Sequence, residues 1–263
     1  MALACVTFGS AAPVSFFQPA SSRNRSSVGV SSVLLPSGYE FTFGSANAHF
    51  PAGKSGRIVG AARIEADVEA ARAKADGLFR VWSTIMSDPA AFPMFKGGYP
   101  LSEAGRAGLA QWNPRDNALL RCGTKGTPLI MISPLPMEFV RQGSDILLKI
   151  EEYDTRRLIH MSADAQPPAE HTLLGFSRGR WDGATLVVTT DHIPAGYFDH
   201  EGTPMSDQIK VVERFTPNAA YDRLDYRLTV TDPVNFTEPF DLTRYFVWKP
   251  ENTVQPYECL DRL

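Results

Sequence analysis

The sequence predicts a mainly β protein in which an antiparallel meander closes into a lipocalin-like barrel, preceded by one N-terminal amphipathic helix. Three observations support this fold class. Residues 137–248 contain eight short runs with period-two alternation or β-branched residues, typical of strands. Turn pairs such as Asp182-Gly183, which favour two-residue hairpins, separate the runs. Closure into a barrel removes the exposed edges that so many strands would otherwise leave.

We expect three parts in the chain of 263 residues. Residues 1–39 contain no Asp or Glu and are rich in Ser, a composition typical of an organellar transit peptide, so we predict a disordered targeting leader. A plastid (chloroplast) location follows from that leader, and a cytoplasmic or secreted location is the alternative. Residues 40–136 form an N-terminal extension, and residues 137–263 form the barrel domain.

Residues 62–86 are predicted to form one helix. Apolar residues recur there at steps of four and three, from Ile64 through Leu78 and Trp82 to Ile85. Pro89 prevents the helix from continuing further. We expect the helix to pack on the sheet of its own chain. Its spacing also suits a partner helix, so an oligomer formed through helix 62–86 is the alternative.

The remaining elements follow in order along the chain. Residues 89–136 contain seven prolines, which predict an ordered wrapping segment with one short helix near residues 102–111. In the predicted strand of residues 146–153, the alternation of apolar and charged residues turns Ile146, Leu148 and Ile150 inward. The expected strands are residues 138–142, 146–153, 157–161, 174–181, 185–191, 209–216, 224–231 and 243–248.

Composition excludes several classes of protein. A net charge of -3 with acids and bases mixed along the chain argues against nucleic acid as a partner. No apolar run reaches the roughly 18 residues of a membrane span. Three widely spaced cysteines do not support a disulfide framework or a zinc site. The five histidines show no HxH or HExxH spacing, so we expect neither a metal nor a cofactor.

Three residues are the predicted catalytic groups: Glu213, Glu152 and His192. A turn at Asp154-Thr155 would place Glu152 opposite Arg157 on the inner face, and alternation turns Glu213 inward as well. Two carboxylates in an apolar cavity can have their pKa values pushed apart, as an acid/base pair requires. The alternatives are a structural ion pair that sets strand register and a histidine of the barrel rim.

Further residues are predicted to bind the ligand. Arg157 would hold a carbonyl or carboxylate, and Tyr197 lies in residues 191–207, a loop that is either a lid or a plain surface connection. His160 belongs to the same set, although alternation with Ile159 turns it outward. The other residues able to orient a polar group are Tyr153, Arg178 and Trp181.

These residues favour a cofactor-independent enzyme of the isomerase, cyclase or lyase type. It would use acid/base chemistry on a small, largely apolar or aromatic molecule held in the barrel cavity. The alternative is a non-catalytic, lipocalin-like carrier of a small lipophilic ligand. A third reading is an interaction module that works through helix 62–86.

Six further stretches form a recognisable set of motifs: residues 122–131 (CGTKGTPLIM), 152–161 (EYDTRRLIHM), 179–189 (GRWDGATLVVT), 202–207 (GTPMSD), 212–215 (VERF) and 229–239 (TVTDPVNFTEP). With these motifs the chain resembles an uncharacterised bacterial family of β-rich proteins. The resemblance spans residues 113–257 and implies a β-rich domain without implying any reaction.

Overall fold

A computed structural model describes residues 31–34, 40–43, 61–92, 98–117, 122–257 and 259. The chain divides into two compact units, Met1–Gly56 and Arg57–Leu263. In the first unit, β1 (Ser31–Leu34) pairs with β2 (Glu40–Phe43) in antiparallel fashion. Strand β1 falls within the predicted leader, and the rest of that leader lies outside the described residues.

The second unit is a closed, mixed barrel of nine strands. The mainly β class and the closure are confirmed. The barrel strands are β3 (Val81–Ser83), β4 (Met137–Gln142), β5 (Asp145–Ile150), β6 (Thr155–His160), β7 (Phe176–Asp182), β8 (Thr185–Asp191), β11 (Lys210–Pro217), β12 (Arg223–Thr231) and β13 (Phe240–Trp248). They pair around the barrel in the order β11-β12-β13-β3-β4-β5-β6-β7-β8. A separate hairpin pairs β9 (Gly196–Tyr197) with β10 (Pro204–Met205).

The expectation of a wholly antiparallel meander is wrong at one place, because β6 and β7 run parallel. Residues 161–175 return the chain along the length of the barrel, so that β7 starts at the same end as β6. A tight hairpin cannot make this connection, whereas a connection of this length can. The next hairpin turns at Gly183-Ala184, one residue later than predicted, with Gly183 at a φ of +60°.

The predicted helix 62–86 is wrong over its second half. Helix α1 covers only Ala61–Lys74, and Gly77, at a φ of +57°, lies beyond its end. Residues Val81–Ser83 form β3 instead, between β13 and β4. Trp82 is completely buried in the core, and its indole donates a hydrogen bond to the Leu78 carbonyl at 3.0 Å. The spacing of four residues between Leu78 and Trp82 also fits a helix. Residues Val81–Ser83 nevertheless form a strand, because they close the barrel between β13 and β4.

The short helix of the wrapping segment is confirmed as α2 (Glu103–Ala110). The Ser102 hydroxyl caps it by accepting a hydrogen bond from the Gly105 amide at 3.0 Å. Neither helix in the described part of the chain is long and apolar enough to cross a membrane.

The turn between β5 and β6 differs from the predicted one. Strand β5 ends at Ile150, residues Glu152–Asp154 form a 3-10 turn, and Leu148 rather than Glu152 lies opposite Arg157. The partner of Arg157 on β5 is therefore four residues earlier in the chain than predicted. Because four is an even number, Arg157 still faces the interior, whereas Glu152 leaves the ladder.

Inward-facing side chains fill the barrel interior. Ile146, Leu148 and Ile150 are all at most 3% exposed, which confirms the predicted alternation along β5. Phe139 packs edge-on against Phe215, with ring centres 5.1 Å apart. Buried apolar residues of β3 to β6, β8 and β11 to β13 belong to one cluster.

The two ends of the barrel carry different connections. Strand β5 ends and β6 begins at one end, which we call the Glu152 end. The strand directions place the start of β7, the end of β8 and the start of β11 there as well. Tight hairpins at residues 143–144 and 183–184 close the opposite end. The connection from β3 to β4 and the connection from β8 to β11 therefore both start and end at the Glu152 end.

A disulfide joins Cys122 to Cys259, with their Cα atoms 5.9 Å apart. The wide spacing of the cysteines gives no support for a disulfide framework, and this single disulfide was therefore not predicted. The two cysteines are separated by 137 residues, and no local spacing reveals such a pair. Near the disulfide, the Gln255 amide donates a hydrogen bond to the Glu151 carboxylate at 2.9 Å, so the C-terminal segment lies along the Glu152 end.

Candidate functional site

The barrel interior holds a polar network centred on Arg157 and Glu213. Arg157 Nη1 donates to Glu213 Oε1 at 3.0 Å, and Nη2 donates to Oε2. Arg157 also donates to Ser177 Oγ at 3.0 Å and to Thr190 Oγ1 at 2.6 Å. The Tyr226 hydroxyl donates to Glu213 Oε1 at 3.0 Å. The predicted partner of Arg157 was Glu152, and the structure replaces it with Glu213, from a strand 56 residues away.

Burial and charge shift the pKa values of Arg157 and Tyr226 in this network. Burial lowers the pKa of Arg157, but Glu213 raises it more, so the pKa lies above its usual value. Burial, followed by the charge of Glu213, raises the pKa of Tyr226 well above 10. Tyr226 therefore remains a hydrogen-bond donor to Glu213, whose side chain is 0% exposed. A buried ion pair is tolerated when its hydrogen bonds are satisfied in this way.

A second buried arginine, Arg244, was missed by the sequence reasoning. It donates to the carbonyls of Ala91 and Met131 at 3.0 and 2.7 Å, and to Thr84 Oγ1 at 2.7 Å. Burial lowers its pKa to about 10. Alternation with Phe246 would have placed it on the inner face. These bonds tie the wrapping segment to β13.

The other predicted carboxylate, Glu152, lies in a different environment. Lys125 Nζ lies 2.7 and 2.9 Å from its two carboxylate oxygens. Both residues are buried, with exposures of 8% and 9%. The Thr155 hydroxyl donates to the Glu152 carbonyl at 2.8 Å and fixes the turn. Glu152 and Glu213 thus have separate partners and do not form the predicted carboxylate pair. No pattern in the sequence pointed to Lys125.

The charges of this ion pair act on His200. Burial lowers its pKa below 6.5, and the charge of Lys125 lowers it further, while Glu152 and Asp199 act in the opposite direction. The imidazole is therefore mainly neutral at pH 7. The loop that carries His200 is held by Asp199, whose carboxylate accepts hydrogen bonds from the amides of Glu201 and Thr203, each at 3.0 Å. His200, and not the predicted His192, is therefore the histidine on which the charges of Lys125 and Glu152 act.

Two tyrosines complete the group around Glu152. The rings of Tyr153 and Tyr257 lie 5.1 Å apart. Burial raises the pKa of each phenol, and the charge of Glu152 raises both further, so both remain protonated. Tyr153 and Asp154 adopt φ angles of 58° and 47°, which are uncommon for residues with a side chain. Such backbone strain occurs often at functional sites. We call Lys125, Glu152, Tyr153, His200 and Tyr257 the Glu152 cluster.

The two cysteines of the disulfide lie close in sequence to two members of this cluster. Cys122 precedes Lys125 by three residues, and Cys259 follows Tyr257 by two. The covalent link therefore holds the lysine and the second tyrosine of the cluster in the same region. The Tyr257 amide also approaches both carboxylate oxygens of Asp154 at 3.3 Å.

The structure brings two further predicted residues together elsewhere. Asp191 Oδ1 lies 2.8 Å from His192 Nδ1, and its Oδ2 accepts a hydrogen bond from Arg178 Nη2 at 2.8 Å. His192 and Arg178 therefore share the Asp191 carboxylate as a partner, and His192 is not part of the Glu152 cluster. Its φ of 57° turns it out of the β8 alternation on which its prediction depended.

The remaining predicted ligand-binding residues are dispersed. His160 stacks on Phe176, and its Nδ1 lies 3.2 Å from Asp145 Oδ2. Trp181 is 44% exposed and lies at the hairpin end, far along β7 from the Glu152 end. Tyr197 is 45% exposed and contacts Trp112, with ring centres 4.3 Å apart. The lid role of the loop that carries Tyr197 stays a prediction.

A groove of about 460 Å³ lies along β11–β13, and its lining includes the buried residues Tyr226 and Arg244 described above. Its other arginines already pair with aspartates: Arg214 with Asp182, Arg223 with Asp225 and Arg227 with Asp241. These three pairs are exposed, and the two buried groups already have partners, Glu213 for Tyr226 and two carbonyls with Thr84 for Arg244. We therefore place the candidate site at the cluster.

Within the part of the chain that the structure describes, no group of three or more His, Cys, Asp or Glu side chains is arranged to hold a metal ion. No protein-family model matches the chain, and neither the curated proteins nor the solved structures contain a match. The resemblance to an uncharacterised bacterial family stays a prediction. The candidate function therefore rests on the geometry of the Glu152 cluster.

Proposed function

We propose that the protein is a cofactor-independent enzyme that transfers a proton on a small, largely apolar molecule bound at the Glu152 end of the barrel. The observation that carries this proposal is the buried Lys125–Glu152 ion pair, whose charges act on His200, a histidine with a lowered pKa. Groups with perturbed pKa values that gather at one site are typical of acid/base catalysis. The reaction would be of the isomerase, cyclase or lyase type.

Each member of the cluster has a role in this proposal. Neutral His200 accepts a proton from a carbon next to a substrate carbonyl, and the C–H electron pair forms the enolate. The Lys125 ammonium donates a hydrogen bond to the enolate oxygen, a contribution of about 3 kcal/mol for one donor in comparable sites. Protonated His200 then returns the proton to a different carbon, which completes an isomerisation. Glu152 positions Lys125.

The tyrosines favour an apolar substrate. Two phenol rings 5.1 Å apart offer a surface for an aromatic or aliphatic body. Their hydroxyl groups remain protonated because both pKa values are raised. They are therefore suited to donate hydrogen bonds to a single polar group of the substrate.

This assignment keeps the predicted chemistry but changes its residues. Glu213 is unsuited to act as a base, because both carboxylate oxygens already accept hydrogen bonds from Arg157 or Tyr226 at 0% exposure. A general base needs a free lone pair within reach of the substrate. Glu152 remains in the proposal, and His200 replaces His192.

A second proposal, a lipocalin-like carrier, uses the same cluster without proton transfer. The closed barrel and the pair of tyrosine rings support it. In that case Lys125 would only orient a carbonyl or carboxylate of the ligand. The two proposals differ in whether bound molecules exchange protons.

Deuterium exchange tests the enzyme proposal. The full chain is incubated in D₂O with small cyclic and aryl ketones, and deuterium at the carbon next to the carbonyl is measured by NMR. We expect catalysed exchange that falls about 100-fold or more in His200→Asn and in Lys125→Met. Lys149→Met is the matched control, because Lys149 pairs with Glu138 on the outside of the barrel and should leave exchange unchanged.

The outcomes separate the proposals. Exchange that is unaffected by both cluster variants would overturn the assignment of the site. Ketones that bind, as seen by quenching of tryptophan fluorescence, but show no exchange would overturn the enzyme proposal and favour the carrier. The absence of both binding and exchange would overturn the two proposals together.

A further inference from the structure

Two histidines outside the Glu152 cluster meet although 21 residues separate them in the sequence. The ring centres of His171 and His192 lie 5.2 Å apart, with 59° between the ring planes. We propose that these two imidazoles bind a divalent transition metal ion of the Zn²⁺ type. No histidine spacing in the sequence predicts this site. A pair formed by folding is not visible as a local motif.

The hydrogen bonds of the two rings determine which nitrogen is free. His171 Nδ1 lies 3.2 Å from the Ile193 carbonyl oxygen, and His192 Nδ1 lies 2.8 Å from Asp191 Oδ1. A carbonyl and a carboxylate only accept hydrogen bonds, so each Nδ1 carries the hydrogen. In each neutral ring, Nε2 then carries the lone pair. Metal-binding histidines are commonly held in this way, by a carboxylate or carbonyl on the opposite nitrogen.

The distance between the rings fits a shared metal ion. A Zn–N bond is about 2.0–2.1 Å, and two imidazoles at a tetrahedral angle place their ring centres about 5 Å apart. The observed separation of 5.2 Å agrees with that value. His171 is exposed and His192 is about one-third exposed, so an ion and its water ligands can reach the pair from solvent.

The backbone holds the two histidines in place. The Thr172 amide donates to the His192 carbonyl at 3.1 Å, which links the two segments. Gly175 adopts a φ of +68°, and a Cβ atom there would lie 2.6 Å from the Asp191 carbonyl oxygen. Only glycine allows this close approach of the two loops. Arg178 holds the second oxygen of Asp191 at 2.8 Å and so fixes the carboxylate that orients His192.

The donor set indicates which ions bind. Imidazole nitrogens suit Zn²⁺, Cu²⁺ and Ni²⁺, whereas Mg²⁺ and Ca²⁺ prefer oxygen ligands. Two protein ligands leave the other coordination positions to water, as in open metal sites. The Arg178 guanidinium is the nearby positive charge, and its ion pair with Asp191 offsets it.

Metal binding here would also stabilise the segment of chain that carries Lys125. The loop that begins at His171 contacts the segment that follows Lys125, since the Thr127 amide donates to the Leu173 carbonyl at 2.8 Å. The Thr127 hydroxyl donates to the Leu174 carbonyl at 3.0 Å. The two sites share no residue, so the metal site can be tested without any substrate.

Calorimetric titration of the EDTA-treated full chain with Zn²⁺ and with Mg²⁺ tests the proposal. We expect one equivalent of Zn²⁺ to bind and Mg²⁺ not to bind. His171→Asn and His192→Asn should each raise the Kd for Zn²⁺ at least about tenfold. His160→Asn is the matched control, because His160 Nδ1 also faces an aspartate, Asp145 at 3.2 Å, while its ring stacks on Phe176 instead of a second imidazole.

Unchanged Zn²⁺ affinity in His160→Asn, with weakened affinity in the other two variants, supports the site. The absence of Zn²⁺ binding to the unmodified chain would overturn it. Zn²⁺ binding that persists in both His171→Asn and His192→Asn would also overturn it. Circular dichroism of each variant shows whether a lost affinity comes from lost folding, and a variant that unfolds is replaced by His171→Gln or His192→Gln, which keep a polar side chain.

Discussion

Lys125 and Glu152 meet through two short contacts, with the lysine nitrogen 2.7 and 2.9 Å from the carboxylate oxygens, although 27 residues separate them. Both are buried where the long connections of the barrel gather. This pair differs from the exposed ion pairs on the outside of the barrel, because water does not screen it fully. It also influences the neighbouring His200, whose protonation can be measured directly.

The pKa of His200 should lie below 6.5 in the folded protein and should rise in Lys125→Met. Burial and the charge of Lys125 disfavour the charged ring, so removal of the lysine leaves Glu152 to favour it. NMR titration of the His200 ring protons measures both values. A His200 that titrates at or above 6.5 in the unmodified protein would contradict the prediction.

The same shift makes stability depend on pH. The unfolded chain binds a proton at His200 more readily than the folded chain, so this contribution is present above pH 6.5 and is lost as the pH falls through the lower folded pKa. Urea unfolding measures the free energy of unfolding at pH 7.5 and at pH 5.0. The difference between the two values should be smaller for His200→Asn than for the unmodified chain. Equal differences would show that His200 does not contribute.

Glu213→Gln should destabilise the fold by about 3–5 kcal/mol, because it leaves the charge of Arg157 buried without its partner. Urea unfolding measures the loss. Glu138→Gln is the control, since it breaks a partly exposed pair with Lys149 and should cost about 1 kcal/mol or less. The double variant Arg157→Met/Glu213→Leu should be more stable than Glu213→Gln alone. If Glu213→Gln and Glu138→Gln lower the free energy of unfolding by similar amounts, the buried pair contributes no more to stability than the partly exposed pair.

Reduction of the disulfide should lower stability by about 2–4 kcal/mol, because the link closes a long loop in the unfolded chain. Cys259→Ser should unfold at the same urea concentration as the unmodified chain treated with dithiothreitol. A mass measurement after alkylation confirms which cysteines were joined. Unchanged unfolding under reducing conditions would contradict the prediction.

Trp82→Ala should cost about 3–5 kcal/mol, since it removes a fully buried ring from β3 and leaves a cavity. Trp181→Ala is the matched control, because Trp181 is 44% exposed at the hairpin end. Thermal unfolding compares the two. If both variants lose the same small amount, β3 does not close the barrel as described.

Local pattern determined which face each strand residue takes. Alternation placed Ile146, Leu148 and Ile150 inside, and it also placed Arg157 and Glu213 inside, as the structure confirms. That information lies within a few neighbouring residues, because successive side chains of a strand point to opposite faces. The inner and outer faces of the barrel were therefore readable from the chain alone.

Tertiary structure alone decided the pairings. Arg157 with Glu213, Lys125 with Glu152, His171 with His192 and Cys122 with Cys259 all join residues far apart in sequence, through loops whose paths have no local signature. β3 is only three residues long, and its Trp82 fits helical spacing equally well, so only closure of the barrel identifies it. The sequence by itself thus determined the faces of the strands, and the folded chain decided which side chains meet, because those contacts depend on the order and direction in which the strands close.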